Sequence, residues 1–134
     1  MPTDEHSPGR TRHSIADHVV HIEYEGRLSL ADLIGAREDF LVDPDFRPGM
    51  WFLVDVREAS MLDLSEEELR QAGAHGAAMA ADWGRHRTAI VVATDVDYGV
   101  SRMFSLLGER PGLELEVFRE FDAATRWLGQ ASPG

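Results

Sequence analysis

Polar and apolar positions alternate from Val19 to Tyr24, with Val20, Ile22 and Tyr24 on one face and His21, Glu23 and Glu25 on the other. A period of two predicts a strand with one face in the core and the other in water. A short strand ends near Ile15, and Ala16 and Asp17 turn the chain, so the segment reads as an antiparallel hairpin that Gly26 ends. The spacing then becomes helical. Ser29 with Asp32 makes a capping box, Asp standing in for the usual Glu. Behind it Leu30, Leu33, Ile34, Phe40 and Leu41 share a face. The two prolines and the glycine of Asp43–Gly49 forbid continuation.

Met50–Val56 is a near-continuous apolar run, the mark of a strand at a sheet centre. Asp55 reads as its end, Ala59–Leu64 as a crossing loop, and Ser65 as the N-cap of a helix, with Glu68 completing a second capping box. That helix turns Leu69, Ala72, Gly76, Met79, Ala80 and Trp83 inward, its small residues allowing close packing on the sheet. Thr88–Thr94 is the next strand. Val100, Met103, Phe104 and Leu107 define a short helix, Leu113–Phe118 a strand, and Asp122 caps a closing helix. An opening hairpin followed by alternating strands and helices predicts an α/β domain whose sheet is mostly parallel, joined by helical crossovers. No repeat or linker divides it, so residues 14–130 read as one unit, with 1–13 a disordered leader and 131–134 a tail.

Charge narrows the function. The 134 residues carry a net charge of −11, which disfavours nucleic acid and anionic membrane surfaces as partners. All 13 basic residues are Arg, so Schiff-base chemistry and a Walker lysine are excluded. Cysteine is absent, which removes thiol catalysis and thiolate metal sites. No apolar run is long enough to span a bilayer, and no signal-peptide pattern opens the chain. The expected location is cytoplasmic.

The segments Glu25–Leu33, Phe52–Ser65, Ala89–Val92, Ser101–Phe104 and Val117–Leu128, in this order and spacing, resemble the STAS domain. This is the fold of the bacterial anti-anti-sigma factor SpoIIAA, and the likeness is nearest to the small SpoIIAA-like, or STAS/SEC14, group. The resemblance implies a SpoIIAA-like α/β fold and a regulatory or binding module without catalysis. In the antagonists a strand-end Asp is followed eight residues later by a second Asp and then by a phosphoacceptor Ser. Asp55 and Asp63 keep that spacing, but Leu64 occupies the acceptor position and Ser65 comes one residue later.

Candidate binding residues follow from the same topology. Asp55, Asp63, Asp95 and Asp97 lie at or beyond the expected C-terminal strand ends, the edge where open α/β sheets bind ligands. Arg57 and Arg102 nearby could grip a carboxylate or phosphate, or simply pair with the many acids. Tyr98, Trp83 and Trp127 could line an apolar pocket, as the SEC14 likeness suggests. His21, Glu23 and Glu25 share a strand face able to hold a metal, though a solvated outer face accounts for them as well. No metal and no cofactor is assigned. The expected function is a non-catalytic module that recognises a protein partner or a small apolar ligand through Asp55–Ser65 and Asp95–Tyr98; a homodimer stays open. The alternative is a Mg²⁺-dependent carboxylate enzyme acting on phosphate esters.

Overall fold

Asp17 and His18 both adopt positive φ (52° and 72°), as a two-residue type I′ hairpin turn requires, and both residue types tolerate it. The turn joins β1 (Arg10–Ala16) to β2 (Val19–Arg27) in antiparallel register, from Arg10 opposite Glu25 to Ala16 opposite Val19. In this computed structural model, which describes residues 8–81, 83–107 and 112–129, the chain continues through α1 (Leu30–Leu41), β3 (Trp51–Ser60) and α2 (Glu66–Met79). Then come β4 (His86–Val91), α3 (Asp95–Leu107), β5 (Leu113–Phe118) and α4 (Phe121–Gly129). The five strands lie in sequence order, and every pair after the hairpin is parallel.

Crossovers that all step one way across a sheet, each right-handed, put their helices on one face. There α1, α2 and α3 cover a core of Val20, Ile22, Phe52, Val56, Ile90 and Val117, into which Phe40 and Leu69 project. α4 returns over the opposite face, where Ala124 and Leu128 pack on Trp51, Leu53, Ala89 and Val91. Both faces of β3 are therefore buried, which is why its sequence barely alternates.

Several expected boundaries move. β1 begins at Arg10, so part of the segment expected as leader belongs to the hairpin, and Pro8 bridges to Arg27; residues 1–7 and 130–134 lie outside the described residues. Gly26 does not end β2: it continues the strand at φ 80°, paired with Ala59. β3 runs five residues past Asp55, because β2 keeps pairing with it to Ser60 after β4 has stopped at Asp55–Val91. The crossing loop shortens to 61–64. Leu41 and Met103 are exposed rather than core, each about two-fifths accessible. Asp122 sits inside the first turn of α4, since the helix already starts at Phe121 and the Ala124 amide bonds the Glu120 carbonyl. β4 starts two residues earlier than expected, at His86.

Candidate functional site

α2 turns Ala72, Gly73 and Gly76 inward, and its nearest neighbours are α1 and α3 rather than any strand. Residues this small cannot fill the distance to the sheet. A cavity of about 120 Å³ remains between α2, α1 and the strands. The expected close packing of α2 on the sheet is therefore corrected: the small face borders a void. Leu33 and Phe40 of α1, Phe52 and Val54 of β3, Ile90 of β4 and Leu115 of β5 are among the residues of its apolar wall. Trp83, just beyond α2, stacks on Phe52 with ring centres 5.7 Å apart and closes one side.

Four polar residues line this apolar space, Tyr24, Arg37, His86 and Thr88, none of which a local pattern marks. Tyr24 comes from β2, and its burial pushes the hydroxyl up to about 12, against the opposing pull of the Arg37 charge. It is a neutral donor throughout the physiological range. Arg37 reaches from α1 toward α2, where Nη1 donates to the Ala72 carbonyl at 2.8 Å and meets His75 Nδ1 at 3.0 Å. Gly76 makes room for it, since a Cβ there would stand 3.2 Å from Nη2. His86, 4% exposed, meets the Gly84 carbonyl through Nδ1 at 3.1 Å and presents its ring edge to Trp83. A donor-bearing patch in an otherwise apolar chamber is the usual make-up of a small-molecule site.

The eight residues expected to bind lie elsewhere, and none lines the cavity. Asp55 faces α4 from the middle of β3, where a bulge sets three β3 residues against two of β2. The bulge releases the Arg57 amide, which donates to Asp55 Oδ1 at 3.0 Å, and the Arg57 guanidinium grips both carboxylate oxygens at 3.0 and 2.7 Å. Burial alone would raise the Asp55 carboxyl; the hydrogen bonds and charge of Arg57 more than offset that and hold it below the ordinary value. Arg57 also lies 4.8 Å over the Phe121 ring. Asp63 pairs with Arg27 at 2.6 Å, and that bond lowers its carboxyl.

Beyond β4, Asp95 pairs with Arg119 at the surface. Asp97 is buried and accepts the Met61 amide at 3.2 Å, so it ties α3 to the loop after β3. Tyr98 packs on the larger core, and Arg102 lies exposed on α3. Among the described residues, no three of the four aspartates come close enough to share an ion. Trp127 does not line this cavity: with Trp51 it flanks the Arg87 guanidinium, at 4.6 and 5.4 Å.

Ser65 caps α2. Its hydroxyl accepts the Glu68 amide at 3.1 Å, and the Glu68 carboxylate accepts the Ser65 amide at 3.0 Å. Glu66, Glu67 and Glu68 fill the first turn, where the helix dipole favours negative charge. Ser65→Ala is expected to lower stability by about 1 kcal/mol in urea unfolding, and Ser65→Asp to be nearly neutral. A Ser65→Ala variant as stable as the parent would contradict the capping role.

Among solved structures, the fold is similar to that of an uncharacterized protein from the DUF3478 family with a SpoIIAA-like fold, from Shewanella loihica PV-4. The TM-score is 0.51 at 15% sequence identity, over 90% of this chain and 94% of that one. No protein-family model matches the sequence, and no curated protein matches it significantly. The chain has a SpoIIAA-like, STAS-type fold, an α/β architecture with its opening hairpin antiparallel and the rest of the sheet parallel. Among the described residues no helix is long and apolar enough to cross a membrane.

Proposed function

We propose that this SpoIIAA-like domain is a non-catalytic binding module that takes a small apolar ligand in the chamber between α2 and the sheet. The cavity carries this reading. At about 120 Å³ it approaches the roughly 150 Å³ of an engineered apolar cavity that admits benzene, so a single aromatic ring sets the scale of the ligand. Tyr24 and Arg37 would orient an acceptor atom on that ligand. Neither is suited to proton abstraction: the Tyr24 hydroxyl titrates only near 12, and a guanidinium stays charged. Binding and orientation are what such a lining can do. A regulatory role follows if occupancy changes how α1 and α2 sit against each other, because Arg37, which lines the chamber, joins the two helices.

Phenol, whose oxygen can accept from Tyr24 and Arg37, titrated into the full chain should raise its melting temperature saturably, since a ligand of the folded state stabilises by mass action, about 2.7 kcal/mol at a hundred times its Kd. Val54→Phe places a ring where the ligand would lie and should abolish the rise, while circular dichroism shows the fold retained. No saturable shift with phenol or a series of small single-ring aromatic acids would defeat the proposal; so would an undiminished shift in Val54→Phe.

A further inference from the structure

The sheet face turned toward α4 carries a row of charge that strand pairing ordinarily avoids. Arg12 on β1 stands opposite Glu23 on β2, and Glu23 stands opposite Asp55 on β3. Carboxylates facing each other across a ladder repel, and Asp55 is buried, with little water to screen it. His21 lies two residues before Glu23 on the same face. One imidazole nitrogen of His21 and one carboxylate oxygen from each of Glu23 and Asp55 all lie within 4.8 Å of one another. The sequence pattern pointed instead to Glu25 as the third member, but Glu25 pairs with Arg10 farther along the hairpin. The bulge and the parallel register bring in Asp55, which no spacing along the chain reveals.

A second observation is independent of the carboxylates. His21 Nε2 is buried and has no hydrogen-bond partner. Buried polar atoms are nearly always satisfied, so an orphaned nitrogen on the imidazole that stands beside two carboxylates asks for a partner. The arginines do not close the group. Arg57 uses both sites on Asp55 Oδ1 but only one on Oδ2, and the Arg12 bond falls on Glu23 Oε1 at 2.7 Å. Each carboxylate thus keeps lone pairs available. Partners that hold ligating carboxylates from behind, as these arginines do, fix the orientation of the ligands in metal sites.

We propose that His21, Glu23 and Asp55 form a binding site for a divalent first-row transition ion of the Zn²⁺ type. The imidazole nitrogen selects such ions over Mg²⁺ and Ca²⁺, which take oxygen ligands. One nitrogen and two oxygens leave a fourth tetrahedral position for water. Tetrahedral ligands at bonds of about 2.1 Å stand roughly 3.4 Å apart. Glu23, its side chain 37% exposed, can move to close the remaining distance. The ion would neutralise the facing carboxylates and, with Nε2 as the ligating atom, satisfy the orphaned nitrogen as well. The site lies on the opposite sheet face from the apolar chamber, so neither reading depends on the other.

Calorimetry of the full chain, stripped with chelator, against Zn²⁺ near neutral pH tests this, with Co²⁺ absorption reporting ligand geometry. One saturable site is expected, with tetrahedral Co²⁺ bands and no binding of Mg²⁺. His21→Gln and Glu23→Gln should each weaken Zn²⁺ by more than about tenfold, the least that even outer-shell changes produce. His18→Gln, on the exposed hairpin turn, should leave it unchanged. Absence of binding, or binding that survives His21→Gln in a folded variant, would overturn the assignment.

Discussion

Phe40→Ala should destabilise the protein by about 3–5 kcal/mol, the range for removing a fully buried aromatic ring. Phe40 is 1% exposed at the end of α1, and its ring centre lies 5.1 Å from Phe46 and 5.2 Å from Phe52. Phe46 and Phe52 in turn contact Trp83, so four rings from α1, the following loop, β3 and the segment after α2 form one block. The ring also walls the apolar chamber. Its removal would enlarge an existing void, which leaves the neighbours little reason to collapse into the gap. Leu41→Ala, one residue on and 40% exposed, should change stability by no more than about 0.5 kcal/mol. Urea unfolding of both variants checks the pair; equal losses would contradict the burial assigned to the C-terminal turn of α1.

Arg57→Ala should be the next most damaging, by about 1–3 kcal/mol at neutral pH. Breaking a fully buried pair costs about 3–5 kcal/mol because a charge is stranded. Here the Asp55 side chain is 10% exposed but that of Arg57 is 42%, so solvent screens part of the interaction and the lower range applies. The pH dependence identifies the cause. In the parent, Arg57 holds the Asp55 carboxyl below its unfolded value of 3.8, so this contribution is complete above that value and disappears as pH falls through the lowered one. Without Arg57, burial dominates and pushes the Asp55 carboxyl up. The stability gap between parent and variant should therefore narrow as pH falls below the ordinary carboxyl range. A gap constant with pH would mean that Arg57 acts by packing on Phe121 alone.

What the sequence made legible was mostly local. Both capping boxes, at Ser29 and Ser65, formed as their four-residue patterns require, and Leu113–Phe118 is a strand over the expected range. The order of strands and helices sufficed for the SpoIIAA-like topology. The features misread depend on contacts between elements. Asp55 has the look of a strand end because its polar side chain interrupts an apolar run, yet β2 continues to pair with β3 past it. Gly76 suggests close packing, and only the positions of α1 and the sheet show that it borders a void. Tyr24, Arg37 and His86 converge there from β2, α1 and β4; no motif links them, and Tyr24 reads from the sequence as an ordinary inward-facing strand residue.

The proposed ligand site lies inside the domain, beneath α2, and not at the strand-end edge that the sequence suggests. Amide chemical-shift mapping of the full chain during a phenol titration measures this. The largest shifts should fall on Tyr24, Phe52, Val54, Gly73, Gly76 and Ile90, which surround the chamber. Shifts concentrated instead at Asp63–Ser65 and Asp95–Tyr98, with the chamber residues silent, would contradict it.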